Sequence, residues 1–434
     1  MPDQLMQLKA RAPLKVIMLL TVMLALFASW FVVRWYLGNT IAEYFSAETR
    51  RLEVAQMAAG WAPKDPLPHW RLGNIIQHEL PPDQIAQSVA EYEKAVSLSP
   101  NDYRFWMSLG EAQEQAGDFE SAEKSLRQAV KLAPAYAFPR WYLGNLLLRS
   151  DRYPEAFAEL RKAGEENPDL QSQLFNFAWQ INKDDFGALQ TAIGNTPELR
   201  AKFSFYLVER SRFDEGLRLW NSLTETEKKE NRSSANLIIA ALIKEQHFHQ
   251  AMDVWNDVAP GPSYRAELGK IIDGGLEDNL AHGPGAVFGW QVQSASQLQV
   301  GIDARIGHTG SHSLRLFFQV RSHIDNIDVS QLVPVASNTQ YDFECYLQTE
   351  KLESASTPIV TIIDAADETK ALGSSAAAPI GDNSWQRIAL SFKTAANAEA
   401  VKIRIYRPAC VDAPPVCPIF GTVWYDDFNL KSRK

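Results

Sequence analysis

The sequence predicts a multidomain chain: an N-terminal transmembrane helix, an all-α solenoid of helical hairpins and a C-terminal all-β sandwich. Three observations carry that reading. Val16 to Val33 are 18 consecutive uncharged residues, a self-similarity with a period of 34 residues runs from Leu109 to Pro168, and after residue 272 the chain turns into short stretches of alternating apolar and polar residues. A length of 434 residues is enough for two or three domains with their own cores. Hydrophobic residues at 46% and charged residues at 22% exclude both a disordered chain and a polytopic membrane protein. With 43 Lys plus Arg against 52 Asp plus Glu, the net charge of -9 supplies no basic field, so nucleic acid is not an expected partner. The segments expected are a cytoplasmic tail over 1–13, an anchor over 14–37, a linker or juxtamembrane helix over 38–68, the solenoid over 69–259, a linker over 260–271 and the sandwich over 272–434.

The anchor comes first. As a helix, Val16 to Val33 spans about 27 Å, and continuing past Arg34 to Leu37 reaches the roughly 30 Å of a bilayer core. Trp30, Trp35 and Tyr36 sit at its far end, where amphipathic rings favour the headgroup level. Lys9, Arg11 and Lys15 precede it against Asp3, whereas residues 34–53 balance three basic with three acidic groups. That asymmetry puts the N-terminus in the cytoplasm and the bulk of the chain in the periplasm or outside the cell. A cleaved signal peptide begins the same way, but the run is long for one and no Ala-x-Ala site closes it.

In the solenoid, Leu109-Gly110, Ala122, Ala129 and Pro134 recur as Leu143-Gly144, Ala156, Ala163 and Pro168, each 34 residues on. Gly110 and Ala122 are small where two antiparallel helices cross, Leu126 and Leu160 fill the slot between hairpins, and Pro134 closes the second helix. An earlier copy shows in Trp70-Arg71-Leu72-Gly73-Asn74, with an insertion absorbed around Pro81-Pro82-Asp83, and later ones in Phe213 to Trp220 and Phe248 to Trp255. This pattern resembles the tetratricopeptide (TPR) repeat. The resemblance implies a concave face built from the first helix of each pair that grips a protein partner, with Arg104, Met107, Glu111, Trp141 and Asn145 pointing into it. The family's best-known clamp for a C-terminal carboxylate needs a fixed set of Lys, Asn and Arg that this sequence does not reproduce. Trp141 also has a second reading, as packing between hairpins.

From Pro260-Gly261-Pro262 the helical pattern stops. One face is shared by Leu314, Leu316, Phe318 and Val320, then by Tyr341, Phe343, Cys345 and Leu347, by Ile388, Leu390 and Phe392, by Val401, Ile403 and Ile405, and by Trp424, Phe428 and Leu430. One wet and one buried face per strand, with no helix between strands, predicts a two-sheet sandwich and excludes a parallel α/β domain. The segments Asp273-Gly274-Gly275-Leu276-Glu277, Gly310-Ser311-His312-Ser313-Leu314, Ser384-Trp385-Gln386 and Trp424-Tyr425-Asp426-Asp427-Phe428 resemble carbohydrate-binding modules of the jelly-roll, galactose-binding-like type. That resemblance implies polysaccharide as a ligand, Trp385 and Trp424 in the core, and a structural calcium between first and last strands. By alternation Asp426 lies on the apolar face, where a bare carboxylate is costly; calcium held with Glu277 would satisfy it, as would backbone N–H groups or an arginine. On the wet face, Phe317 and Tyr406 are candidate platforms for a sugar ring, with Arg315, Gln319, Arg387 and Arg404 as donors to its hydroxyls.

Cys410 and Cys417 bracket a short Pro-rich loop and would close it in an oxidising compartment, while Cys345 alternates inward and reads as a buried apolar residue. Nucleotide-binding, nucleophile-elbow and zinc-protease motifs are missing from the sequence. His247 and His249 are two residues apart on a helix and face different sides, and carboxylates such as Asp364 and Asp367, or Glu277 and Asp278, have no spacing that singles them out. The expectation is therefore not an enzyme. It is a membrane-anchored extracytoplasmic scaffold in which the repeats bind protein and the sandwich binds polysaccharide, in envelope or exopolysaccharide assembly. The alternatives are a protein-only assembly factor with a structural sandwich, or an accessory subunit of a polysaccharide-processing enzyme.

Overall fold

The computed structural model describes residues 12–44, 51–183, 185–278, 287–293, 297–323, 327–410 and 417–433. Residues 1–11 of the expected tail and the loop 411–416 between the two cysteines lie outside these. The chain divides into two compact units, Met1–Gly194 and Asn195–Lys434.

In the first unit, α1 (Ala12–Tyr44) carries the apolar run. Its segment Lys15–Ile41 is long and apolar enough to cross a membrane by length and composition. It is followed by α2 (Arg51–Trp61) and then by helical pairs: α3 (Pro66–Glu79) with α4 (Ile85–Leu98), α5 (Tyr103–Gln115) with α6 (Phe119–Leu132), α7 (Ala137–Arg149) with α8 (Tyr153–Glu166), and α9 (Gln171–Asn182) with α10 (Phe186–Ile193). The first three of these pairs close on a glycine, Gly73 against Tyr92, Gly110 against Leu126 and Gly144 against Leu160. A Cβ on Gly110 would sit 2.6 Å from Leu126 Cγ, and one on Gly144 would sit 2.6 Å from Leu160 Cγ, so the repeated glycines are there for space. Leu126 and Leu160 thus fill the crossing within their own hairpins, with Leu126 also sharing a cluster with Leu143 and Leu147 of α7.

The far end of α1 is built into the first hairpin. Asp65 caps α3 by accepting from Leu67 N at 3.0 Å, and its other oxygen accepts from Trp35 Nε1 at 2.8 Å and Asn39 Nδ2 at 3.2 Å. Arg34 donates to the Gly60 carbonyl, and Gly38 lies against Ala62.

The second unit opens with more helical pairs: α11 (Pro197–Glu209) with α12 (Phe213–Asn221), the short α13 (Glu225–Glu230) started by a Thr224/Glu227 capping box, and α14 (Arg232–Lys244) with α15 (Phe248–Val258). Among the described residues, ten strands follow in two antiparallel sheets. The first sheet runs β1 (Gln291–Gln293), β4 (Asp328–Pro334), β9 (Ala400–Tyr406), β6 (Ile359–Asp364), β7 (Asp367–Ser374). The second runs β2 (Leu298–Asp303), β3 (Ser313–His323), β10 (Pro418–Ser432), β5 (Gln340–Glu353), β8 (Gly381–Lys393). Leu314, Leu316, Phe318, Phe343, Cys345, Val401, Ile403 and Ile405 form one core between the sheets, as alternation requires. The last hairpin and the sandwich share a second core, in which Trp255 and Val258 meet Ile272, Phe288 and Leu332. Polar contacts pin the same junction: His249 N donates to Glu399 at 3.0 Å, His249 Nε2 lies 2.9 Å from the Val335 carbonyl, and Gln246 donates to the Ala366 carbonyl at 3.0 Å.

Strand β10 departs from simple alternation. Its pairing with β5 slips between Asp426 and Asn429, with Asp427 at a positive φ of 53°. Val423 and Tyr425 face the core before this bulge, and Phe428 and Leu430 after it. Trp424 and Asp426 therefore point to the outer side of the second sheet, away from Phe428. Trp424 is buried there with its indole N–H on Asp303, and Trp385 is half-exposed on the same side, so neither belongs to the sandwich core. Trp290 is in that core, its ring tilted against Phe428 with the centroids 4.5 Å apart.

Candidate functional site

The first helices of adjacent repeats bring equivalent positions together, 34 residues apart: Glu111 of α5 with Asn145 of α7. Glu111, Trp141 and Asn145 line one cavity of about 510 Å³, with Glu114, Phe119, Tyr142 and Arg149 completing its walls. Arg104 and Met107 do not join them. Arg104 turns back onto Asp102, the N-cap of its own helix, at 2.6 Å, and Met107 packs against the Leu126 and Leu143 cluster. Glu114 and Arg149, which the sequence reading missed, sit one turn further along the same faces, and extending the helical period by three or four residues finds both.

The chemistry of this cavity centres on a half-buried acid. Burial pushes the Glu111 carboxyl up to about 7, against a hydrogen bond from Tyr142; the neighbouring Glu114 charge adds to the rise and Arg149 opposes it. Arg149 is itself committed, forking onto both oxygens of Glu114, with Nη2 at 2.8 Å. Trp141 stacks on Phe177 at 5.9 Å and receives the Asn145 amide on its carbonyl at 2.8 Å, so it serves packing and cavity wall together. Phe119 is 46% exposed at the rim.

On the sandwich, three carboxylates hold the loop between β2 and β3. Asp426, fully buried, accepts from His308 N at 2.6 Å, Thr309 N at 3.3 Å and Asp427 N at 2.6 Å. Asp427 takes the His308 ring and the Thr309 hydroxyl, each at 2.6 Å. Glu277 accepts from Ser311 N at 2.9 Å and His312 N at 3.1 Å and meets His312 Nδ1 at 2.7 Å. Gly310 between them has φ 66°, and a Cβ there would run into Glu277. Backbone N–H groups are thus the partner of Asp426. Calcium needs several carboxylate and carbonyl oxygens turned to one point, whereas Asp426 and Glu277 are occupied by N–H donors on either side of Gly310. Among the described residues no three His, Cys, Asp or Glu side chains are grouped to hold a metal, so this donor set does not fit the ion.

Burial pushes Asp426 up while its N–H partners pull it down, and the His312 contact holds Glu277 down at about 2. A depressed carboxyl contributes fully above its unfolded pKa of about 4.3 and loses its contribution as pH falls through the folded value. Below pH 5, the Ser311 and His312 amides should therefore hold their chemical shifts through 4.3 and titrate only as pH falls toward 2. A midpoint near 4.3 in an amide NMR titration would show that Glu277 does not hold the loop.

The six sugar-site candidates do not form one surface. Arg315, Phe317 and Gln319 on β3 and Arg387 on β8 belong to the second sheet, whereas Arg404 and Tyr406 on β9 belong to the first. Sheet membership depends on distant pairing and is invisible to alternation. Arg387 forks onto Glu344, Arg404 pairs with Asp328 at 2.9 Å and lies over Tyr406, and Arg315 lies 4.6 Å from the Phe317 ring. What the second sheet does assemble on its outer side is an aromatic group: His308 stacked 3.7 Å from Tyr346, with Trp385 edge-on to it at 5.6 Å. Cys410 and Cys417 are bonded, with the buried Arg407 donating to the Cys417 carbonyl at 2.7 Å. Cys345 is wholly buried, and burial pushes its thiol up, away from the reactive thiolate.

Two tetratricopeptide-repeat family models match, over residues 83–137 and 115–178. Residues 83–178 thus carry tetratricopeptide repeats, a class that points to protein–protein interaction. Among curated proteins, the chain is 26% identical over 98 residues to Superkiller protein 3 of Saccharomyces cerevisiae, covering 23% of this chain and 7% of that one. It is 32% identical over 81 residues to Small glutamine-rich tetratricopeptide repeat-containing protein 2 of Mycosarcoma maydis, covering 19% of this chain and 23% of that one. The chain thus spans less than a quarter of the length of these relatives. Among solved structures, one described as CBM4 aligns over 38% of this chain and 99% of that chain, with 12% identity and a TM-score of 0.28.

Proposed function

We propose that this protein is a non-catalytic, membrane-anchored scaffold, facing the periplasm or the cell exterior, whose repeat groove holds a protein partner during envelope or exopolysaccharide assembly. The observation that carries the reading is the cavity between α5 and α7, where equivalent positions of two repeats converge on an open recess with aromatic walls. The uncharged run Val16 to Val33 within α1 supplies the anchor, and the basic flank before it supports a cytoplasmic N-terminus. A photo-reactive residue placed at Asn145 in the full chain should yield a discrete cross-linked protein in native membranes, and one at the exposed Leu237 should not. Equal labelling from both positions would sink the reading.

A second reading, polysaccharide binding by the sandwich, is favoured by the half-exposed Trp385 beside Tyr346 and His308, since a flat ring is what a pyranose face stacks on. The full chain in detergent should then retain specific glycans on an array, screened with and without calcium, and Trp385→Ala should abolish that retention. A blank array in both buffers leaves the protein-only scaffold.

A further inference from the structure

The geometry points to a cationic side chain, a lysine or arginine of an extended partner segment, as the group received by the cavity between α5 and α7, held by the Glu111 carboxylate against Trp141, Tyr142 and Phe119. This rests on the reading of the groove as a protein-binding site and names the chemistry of what enters it. Charge is the first reason. Two carboxylates, Glu111 and Glu114, share the cavity with one guanidinium, and Arg149 already forks onto Glu114. Glu111 is left with the Tyr142 hydroxyl, a neutral partner.

An anionic ligand such as a C-terminal carboxylate would meet this acid uncompensated at low local dielectric, and an apolar side chain would bury it further. A cation satisfies it. The walls are the second reason, because Trp141, Tyr142 and Phe119 put aromatic rings in the lining, and such rings favour an ammonium or guanidinium. The groups facing Glu111 are Tyr142, Glu114 and Arg149 around the cavity and Tyr92 on α4. With its carboxyl up near 7, Glu111 is partly protonated at neutral pH, so a cation draws it into the ionised form and releases a proton. Binding should therefore tighten as pH rises from 6 to 8.

The probe is a set of N-acetylated, C-amidated octapeptide pools with degenerate flanks and one fixed central residue, offered to the full chain in detergent. The pools fixed at lysine and arginine should be retained about tenfold over those fixed at norleucine, glutamine or glutamate. Glu111→Gln, which keeps the side-chain size and the fold as read by circular dichroism, should erase that preference and its pH dependence, and Glu111→Asp should restore part of both. Retention led by the norleucine pool and lost in Trp141→Ala would overturn the cationic pocket while keeping the groove. No retention of any pool by folded protein would overturn both.

Discussion

Gly274→Ala is expected to loosen the sandwich by about 3 kcal/mol, the upper end of what overpacking a close-packed site costs. A Cβ built on Gly274 lies 2.0 Å from the Phe428 carbonyl oxygen and 3.1 Å from its carbon, so the obstacle is backbone and has no rotamer to change. The same two residues are tied by the Phe428 N–H donating to the Gly274 carbonyl at 2.8 Å, which leaves no direction of relief that keeps the bond. Phe428 stands directly after the β10 bulge and packs on Trp290 and Phe343, so displacing it disturbs the centre of the core. Hydrogen exchange on the full chain should show the Val423, Tyr425 and Leu430 amides exchanging roughly a hundredfold faster, with α5 to α8 unchanged. Exchange in β10 at the parental rate would mean that the strand yields freely and the contact is not a constraint.

Asp65→Ala is expected to undock the end of α1 from the first hairpin at a cost of about 3 kcal/mol. That figure combines a lost N-cap of about 1 kcal/mol with charge-assisted hydrogen bonds of about 1.5–3 kcal/mol that are not fully additive. Asp65 is only 8% exposed, and its loss strands the Trp35 indole N–H and the Asn39 amide in the same place. Spin labels on Leu37 and Arg71 should give one narrow distance distribution in the parent and a broad one in the variant. Asp65→Asn, which keeps an acceptor for the cap, should lie between them. An unbroadened distribution in Asp65→Ala would show that Arg34, Gly38 and apolar contacts suffice to hold α1.

The helical repeats were legible because their rule is local. Gly110 and Leu126 are sixteen residues apart in one hairpin, Gly144 and Leu160 repeat them, and the spacing itself encodes the contact. Alternation likewise found β3, β5, β8 and β9, whose inward residues are continuous. It misread β10, where 424, 426, 428 and 430 have uniform spacing but a bulge at Asp427 exchanges the faces halfway along. Nor could period alone assign strands to sheets, which is why Tyr406 and Phe317 looked like neighbours. In the groove, Glu111 and Asn145 were visible as equivalent positions. The partnership of Glu114 with Arg149, 35 residues apart, depends on how the helices are rotated when they pack.

The junction between α15 and the sandwich also sets an order of assembly. The pairs from α3 to α8 bury their contacts against neighbours close in sequence and can form as the chain emerges. The last hairpin cannot: His249 finds its partners 86 and 150 residues further on, and Gln246 finds its own 120 residues on. Closing loops of that length comes late in folding, after the strands that flank Val335, Ala366 and Glu399 have paired. The last hairpin is thus completed only by the sandwich, and until then Trp255 and Val258 remain a sticky, unfinished surface.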